Sequence, residues 1–365
     1  VVVVVVYRNE MARNSIGKNL IITSFGESHG PSVGVIIDGF PANFTVNHSA
    51  LQLFVDRRRP GQSKITTDRS EADQVQWLSG IYENKTLGSP IALIIANNDA
   101  RSKDYDALKD VYRPGHADWL YDHKYQHRDH RGGGRSSARI TAGWVAAGAL
   151  ATQYLEQQGI AIRAWVNQVW QIQAPVCSST PTTEEIEGNA VRCWHTDTAK
   201  QMIAAIEQAK IEGDSLGGIV RCVIEGLPAG IGEPVFGKLH AILGQYLLNI
   251  NAVKGISFGD GFAATTLKGS EHNDAWAISN GRIHGKTNHS GGIVGGMSTG
   301  DPVVFDLAFK PTSTINVSQE TVNKTGDSVE LNVQGRHDPC VLPRAIPIVD
   351  AMAALAVMDL FLETK

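Results

Sequence analysis

The chain has 365 residues, 42% of them hydrophobic, and its 33 Lys and Arg against 37 Asp and Glu leave a net charge of −4. That length supports one large core or two modest ones, and a nucleic-acid binder of this size would carry a broad basic excess, so local basic patches point to small anions and not to nucleic acid. Four cysteines, Cys177, Cys193, Cys222 and Cys340, hold no CxxC pair, which excludes a disulfide framework and implies reduced thiols in a cytoplasmic protein.

The opening VVVVVVYRNE has no basic segment before it and no small-residue cleavage site after it. Residues 1–10 are therefore expected to be a remnant ahead of a start at Met11, with 11–365 forming one domain. NLIIT (19–23), VGVIIDG (33–39) and PIALIIAN (90–97) are short apolar runs that end in turn residues and predict strands. Pro60–Gly61 predicts a turn inside the polar segment between the last two. ITAGWVAAGALATQYLEQQG (140–159) is small and apolar all round and predicts a buried helix closed by Gly159. A strand at IAIRAWVNQV (160–169), a helix at AKQMIAAIEQAK (199–210) and a strand at GGIVRCVIEGL (217–227) follow. EPVFGKLHAILGQYLLNI (233–250) predicts a helix with Pro234 in its first turn. PVVFDLAFK (302–310) predicts a strand, and IPIVDAMAALAVMDLFLE (346–363) a closing helix. No apolar run is expected to span a bilayer, so no membrane association is expected. With no short-period repeat and no low-complexity linker, the fold class expected is α+β in a single domain.

The densest chemistry lies in YRPGHADWLYDHKYQHRDHRGGGRSSAR (112–139), with four histidines, six Lys and Arg and three consecutive glycines. In RGGGRSSAR the glycines let backbone N–H groups turn inward. Ser136 and Ser137 can cap the helix that follows, whose N-terminus favours an anion, and Arg135 and Arg139 add planar donors. His123 and His127 are four apart and could share a helix face as zinc ligands. Against that stand the absence of HExxH, of a nearby cysteine and of an apolar surround. His116 follows Pro114–Gly115 in a loop, where an imidazole is held for proton transfer.

GESHG (26–30) sets Glu27, Ser28 and His29 between two glycines at the end of a strand, and Ser28 is not expected to be an acyl-transfer nucleophile. In DRRRPGQSK the turn at Pro60–Gly61 could fold Lys64 back toward Arg58 as a clamp for a second anion, the alternative being a solvated charge run. GRIHGKT (281–287) fails as a P-loop because position 280 is Asn280. NHSGGIVGGMSTGD (288–301) and KPTST (310–314) offer backbone amides, hydroxyls and Lys310, suited to a planar, phosphate-bearing cofactor. Arg336, His337 and Asp338 precede Pro339. Together these groups suit a small polyanion that exchanges phosphate and protons. A flavin reductase and a phosphate-binding module remain open on the residues alone.

GESHG, DRRRPG, RPGHAD, RGGGRSSAR, INAVKG, NHSGG, GGMSTG, KPTST and GRHDPC, in this order from about Asn14 to about Leu360, resemble the chorismate synthase family. The resemblance implies a βαβ sandwich with helices between antiparallel sheets, assembled as a homotetramer. It implies a 1,4-anti elimination of phosphate from 5-enolpyruvylshikimate 3-phosphate, the last common step of the shikimate pathway, with reduced FMN used catalytically. NADPH would then be an indirect reductant acting through an external flavin reductase. His29 matches the proton donor to the leaving phosphate, His116 the residue that protonates or stabilises the reduced flavin, and Asp338 the aspartate that assists its N5. Arg135, Ser136, Ser137, Asn251, Ala252, Gly295, Lys310, Pro311, Thr312, Ser313, Thr314 and Arg336 match flavin contacts. Ser28, Arg58, Arg59, Lys64, Arg113 and Arg139 are assigned to substrate or nicotinamide cofactor. Lys64 stands where many bacterial members carry arginine, keeping the charge without the fork.

Overall fold

In the first sheet, strand Ser32–Asp38 buries Val33, Val35 and Ile37, and strand Ile91–Ala96 buries Ile91, Leu93 and Ile95. The alternation turns one face of each strand toward a common core. The computed structural model describes residues 13–66, 72–98, 105, 108–332 and 338–364, so the expected remnant 1–10 and Arg336 lie outside the described residues. Ser15–Ile16, Ile21–Gly26, Ser32–Asp38, Ile91–Ala96 and Val75–Trp77 pair in that order, every neighbour antiparallel. A second antiparallel sheet runs in the order Val253–Phe258, Val303–Phe309, Gly218–Glu225, Ala161–Val169 and Ile172–Gln173.

Two helices, Thr141–Gln157 and Leu342–Phe361, fill the space between the sheets. The first packs on Ser32–Asp38, the second on Ala161–Val169, and each packs on the other. They approach so closely that a Cβ on Gly148 would lie 2.3 Å from the Cβ of Ala351. Overpacking of that kind costs about 1–3 kcal/mol. One hydrophobic cluster joins both helices and both sheets. This is the expected α+β sandwich.

The expectation about bilayer-spanning length is corrected. Leu342–Thr364 is 23 residues long and apolar enough to cross a membrane by length and composition, yet 94% of its most apolar stretch is buried inside the protein. A helix apolar all round belongs in a core as readily as in lipid, and here sheet and helix neighbours cover it. The helix expected from Pro234 begins only at Leu239, because Glu233 donates to the Gly237 carbonyl (3.2 Å) and closes a turn first. His127 lies beyond helix Asp118–Tyr125, which ends at left-handed Gln126, so it does not share a helix face with His123. Among the described residues no three His, Cys, Asp or Glu side chains gather as a metal site.

Candidate active site

Both interlayer helices start at one cavity of about 380 Å³. Ala138 and Arg139 line it just before Thr141–Gln157, and Val341 and Arg344 line it at the first turn of Leu342–Phe361. Two helix N-termini therefore converge on the same space, and the positive ends of their dipoles favour an anion there. Ser137 does not cap the long helix directly. Its Oγ accepts from the Arg139 N–H (3.2 Å) and caps the 3₁₀ turn Ala138–Ile140 that leads into it. Ser136 Oγ donates to the Gly133 carbonyl.

Three further loops close the cavity. After strand Val303–Phe309 come Lys310, Thr312, Ser313 and Thr314, with Ser313 Oγ donating to the Gly115 carbonyl (2.8 Å). Asn251 and Ala252 precede strand Val253–Phe258; Ala252 holds φ +68°, and its carbonyl accepts from the Lys310 N–H. A non-glycine residue in that region carries strain of the kind that collects at functional sites. The loop 113–117 brings Arg113 and His116.

Charge is arranged around two buried carboxylates. Asp73 binds Arg58 (Nη1, 2.6 Å) and also Arg139. Burial alone would raise its carboxyl pKa, but the two guanidiniums hold it below the ordinary carboxylate range. Burial, outweighing the Asp73 charge and joined by the nearby Arg344 and Arg139, pushes Arg58 down. Asp118 takes a bidentate contact from Arg113 (2.7 and 2.8 Å), sits 2.9 Å from Arg128 and 3.4 Å from His116 Nδ1. Burial opposes its ionisation, yet hydrogen bonds from Arg113 and His116 hold its pKa far below the usual value. Arg113 Nη2 lies 3.2 Å from His116 Nδ1. Asp338 lines the cavity and pairs with Arg344, and its carbonyl accepts from Thr312 Oγ1. Burial and the nearby Lys254 lower Lys310. Arg58, Arg113, Arg139, Arg344 and Lys310 thus face the cavity against Asp73, Asp118 and Asp338: five cations and three carboxylates.

His29 is buried rather than lining the cavity. Its ring packs edge-on to Tyr105 at 4.9 Å, and Gly132 lies against it, where a Cβ would meet Cδ2 at 2.5 Å. One function of the glycine run is therefore to let the loop close over His29. Ser28 Oγ is buried beside it with no hydrogen-bond partner.

The chorismate synthase family model matches residues 20–362. A chorismate synthase from Opitutus terrae is 51% identical over 347 residues, 95% of this chain and 96% of its own. One from Bacteroides thetaiotaomicron is 52% identical over 96% of this chain and 98% of its own. The chain belongs to the chorismate synthase family. A crystal structure of a chorismate synthase superposes with a TM-score of 0.75 at 26% identity, covering 96% of this chain and 93% of that one. Members are carbon–oxygen lyases of the shikimate pathway to aromatic amino acids.

Several expected positions fall elsewhere. Arg135 leaves the cavity: Nη1 donates to the Gly26 carbonyl (2.8 Å) and Nη2 to those of Ser24 (3.0 Å) and Asn14 Oδ1 (3.2 Å), so strand acceptors hold it in a second cavity. Arg139 faces the cavity, but all three of its nitrogens donate to protein, through Asn97, Asp73 and the Ala96 carbonyl. Its expected fork toward a ligand is therefore taken up internally. Arg59, Lys64 and Pro311 are exposed and do not line the cavity, and Lys64 does not fold back as a clamp; its carbonyl accepts from Lys210. Gly295 is exposed in the turn between strands Ile293–Val294 and Met297–Ser298. Sequence reasoning missed Asp73, Tyr105 and Arg344. Arg344 had a signal, since Pro343 just before it marks a helix start; Asp73 had none, its partners lying 15 and 66 residues away.

Proposed function

We propose that the cavity converts 5-enolpyruvylshikimate 3-phosphate to chorismate by 1,4-anti elimination. The C3–O bond breaks, a C6 hydrogen is lost, a second ring double bond forms, and phosphate departs. The observation that carries this reading is the surplus of cations at a point where two helix N-termini converge beside His116. A substrate with a phosphate and two carboxylates would relieve the mutual repulsion of Arg58, Arg139 and Arg344.

The residues also fit FMN. Asn251 Nδ2 donates to the Ser136 carbonyl (2.8 Å), while its Oδ1 is buried with no donor, an acceptor that a flavin ring N–H would satisfy. Lys310, Thr312, Ser313 and Thr314 would hold its phosphate. Reduced FMN held there would supply transient electron donation toward expulsion of phosphate, with no net redox. His116 stands at the cavity wall, positioned by Arg113 and Asp118, as the residue that protonates or stabilises the reduced flavin. The resemblance assigns protonation of the leaving phosphate to His29, which packs edge-on to Tyr105 of the cavity wall, and the base-assisting carboxylate to Asp338. NADPH enters as an indirect reductant through an external flavin reductase. Exposed Phe262, Trp276, Ile278 and Ile283 support assembly with further copies, a homotetramer measurable by light scattering. The test of the elimination is anaerobic phosphate release with pre-reduced FMN. Many phosphates per flavin are expected; one per flavin, with oxidised flavin left behind, would contradict the proposal.

A further inference from the structure

The second cavity, of about 310 Å³, opens where the edge of the first sheet meets helices Thr141–Gln157 and Leu342–Phe361. Its lining mixes apolar and polar side chains. Trp144, Ile22, Met352 and Leu355 are its main apolar residues, and Arg135 and Ser24 meet them among polar residues that include Arg13, Asn14, Gln245 and Asn249. Among the described residues Arg135 has no carboxylate within ion-pair distance, and burial lowers its pKa against the opposing charge of Glu27. Its contacts are all to neutral oxygens, which take three of its five N–H groups. Ser24 is 7% exposed, and its buried Oγ has no partner. An unneutralised guanidinium beside an unpaired buried hydroxyl, facing an apolar wall, is costly in isolation. Both costs vanish when an anion with an apolar body occupies the space.

We propose that this second cavity binds a small organic carboxylate with an aromatic or branched body, its anion on Arg135 and Ser24 and its body against Trp144 and Leu355. The site is separate from the elimination chemistry, although Arg135 lies between Gly134 and Ser136 in the chain segment that walls the first cavity.

Phenylacetate is a suitable probe, with 2-phenylethanol as its neutral counterpart and acetate as the anion without a body, each titrated calorimetrically into the full chain. Phenylacetate is expected to bind at about millimolar Kd or tighter, and each control about tenfold or more weaker. Ser24→Ala removes one hydroxyl without adding volume and is expected to weaken phenylacetate about tenfold. Leu355→Trp, which fills the apolar side, is expected to abolish binding, and Arg135→Gln to weaken it by more than Ser24→Ala. Arg139→Lys, in the first cavity, should leave it unchanged. Should Arg135→Gln fail to fold, since Arg135 also ties down strand carbonyls, Ser24→Ala and the two control ligands decide. Equal binding of 2-phenylethanol, full affinity in Ser24→Ala, loss of affinity in Arg139→Lys or no heat from the wild type would each overturn the proposal.

Discussion

Two clusters of arginine and carboxylate lie on either side of the segment 57–58 and are built to different balances. Behind the cavity, Arg57 bridges Glu187 (2.7 Å) and Asp350 (3.1 Å), and Arg192 returns to Glu187 (2.9 Å). Two cations meet two carboxylates there, and Asp350 is further held by the Ala164 N–H at 2.8 Å. One residue on, Arg58 faces the cavity, where five cations meet three carboxylates. A balanced buried network ties layers together and has no electrostatic use for a ligand. An unbalanced one holds repulsion that a bound anion relieves. The difference separates residues that should govern stability from those that should govern binding and turnover.

His116→Ala tests the cavity side most severely. Removing a positioned proton carrier should lower turnover by about 10²–10⁴, with the unfolding midpoint close to wild type because His116 sits at the cavity wall and not in the core. Near-normal turnover would reduce His116 to a structural neighbour of Arg113. On the balanced side, Arg57→Met leaves Asp350 without its cation and should destabilise by about 3–5 kcal/mol at pH 8. Denaturant unfolding reads that loss, and folded protein should retain turnover. An unchanged midpoint would mean that the network does not hold the layers.

The acids of the two clusters should also respond to pH with opposite sign. Burial, outweighing Arg57 and the Ala164 amide, raises Asp350 to about 6. A carboxyl whose folded pKa is raised lends stability that is full below its unfolded value near 4 and is lost as pH rises through about 6. Asp118 is depressed, so its contribution is present above about 4 and is lost as pH falls below that. Asp350→Asn should therefore remove a stability step of about 2–3 kcal/mol between pH 4 and 7. A wild-type stability that climbs across that window, with the same slope in Asp350→Asn, would contradict the assignment.

Much of this was legible in the sequence for a local reason. Short apolar runs ending in turn residues gave the strands around Val35 and Leu93, an all-round apolar run gave helix Thr141–Gln157, and RGGGRSSAR together with RPGHAD placed Ser136, Ser137, Arg113 and His116 near one anion. What was not legible depends on contacts between distant segments. Asp73 reads as an ordinary acid until Arg58 and Arg139 close on it. Arg135 and Arg139 look equivalent four residues apart, yet strand carbonyls draw one into another cavity and Asp73, Asn97 and Ala96 occupy the other. The closing helix has a composition compatible with either lipid or core, and only the helices and the sheet packed around it decide between them.

The central claim is that surplus charge in the cavity, and not charge in general, binds the substrate. Its most direct test is calorimetric affinity for 5-enolpyruvylshikimate 3-phosphate in wild type, Arg344→Gln and Arg192→Gln, at low and at moderate salt. Arg344 belongs to the surplus and Arg192 to the balanced network. Arg344→Gln is expected to lose about 1–3 kcal/mol of binding at both salt concentrations, since a desolvated charge-assisted contact is little screened. Folded Arg192→Gln is expected to bind as wild type does. Equal losses in both variants that fade as salt rises would show a diffuse field in place of a built anion site, and would contradict the account.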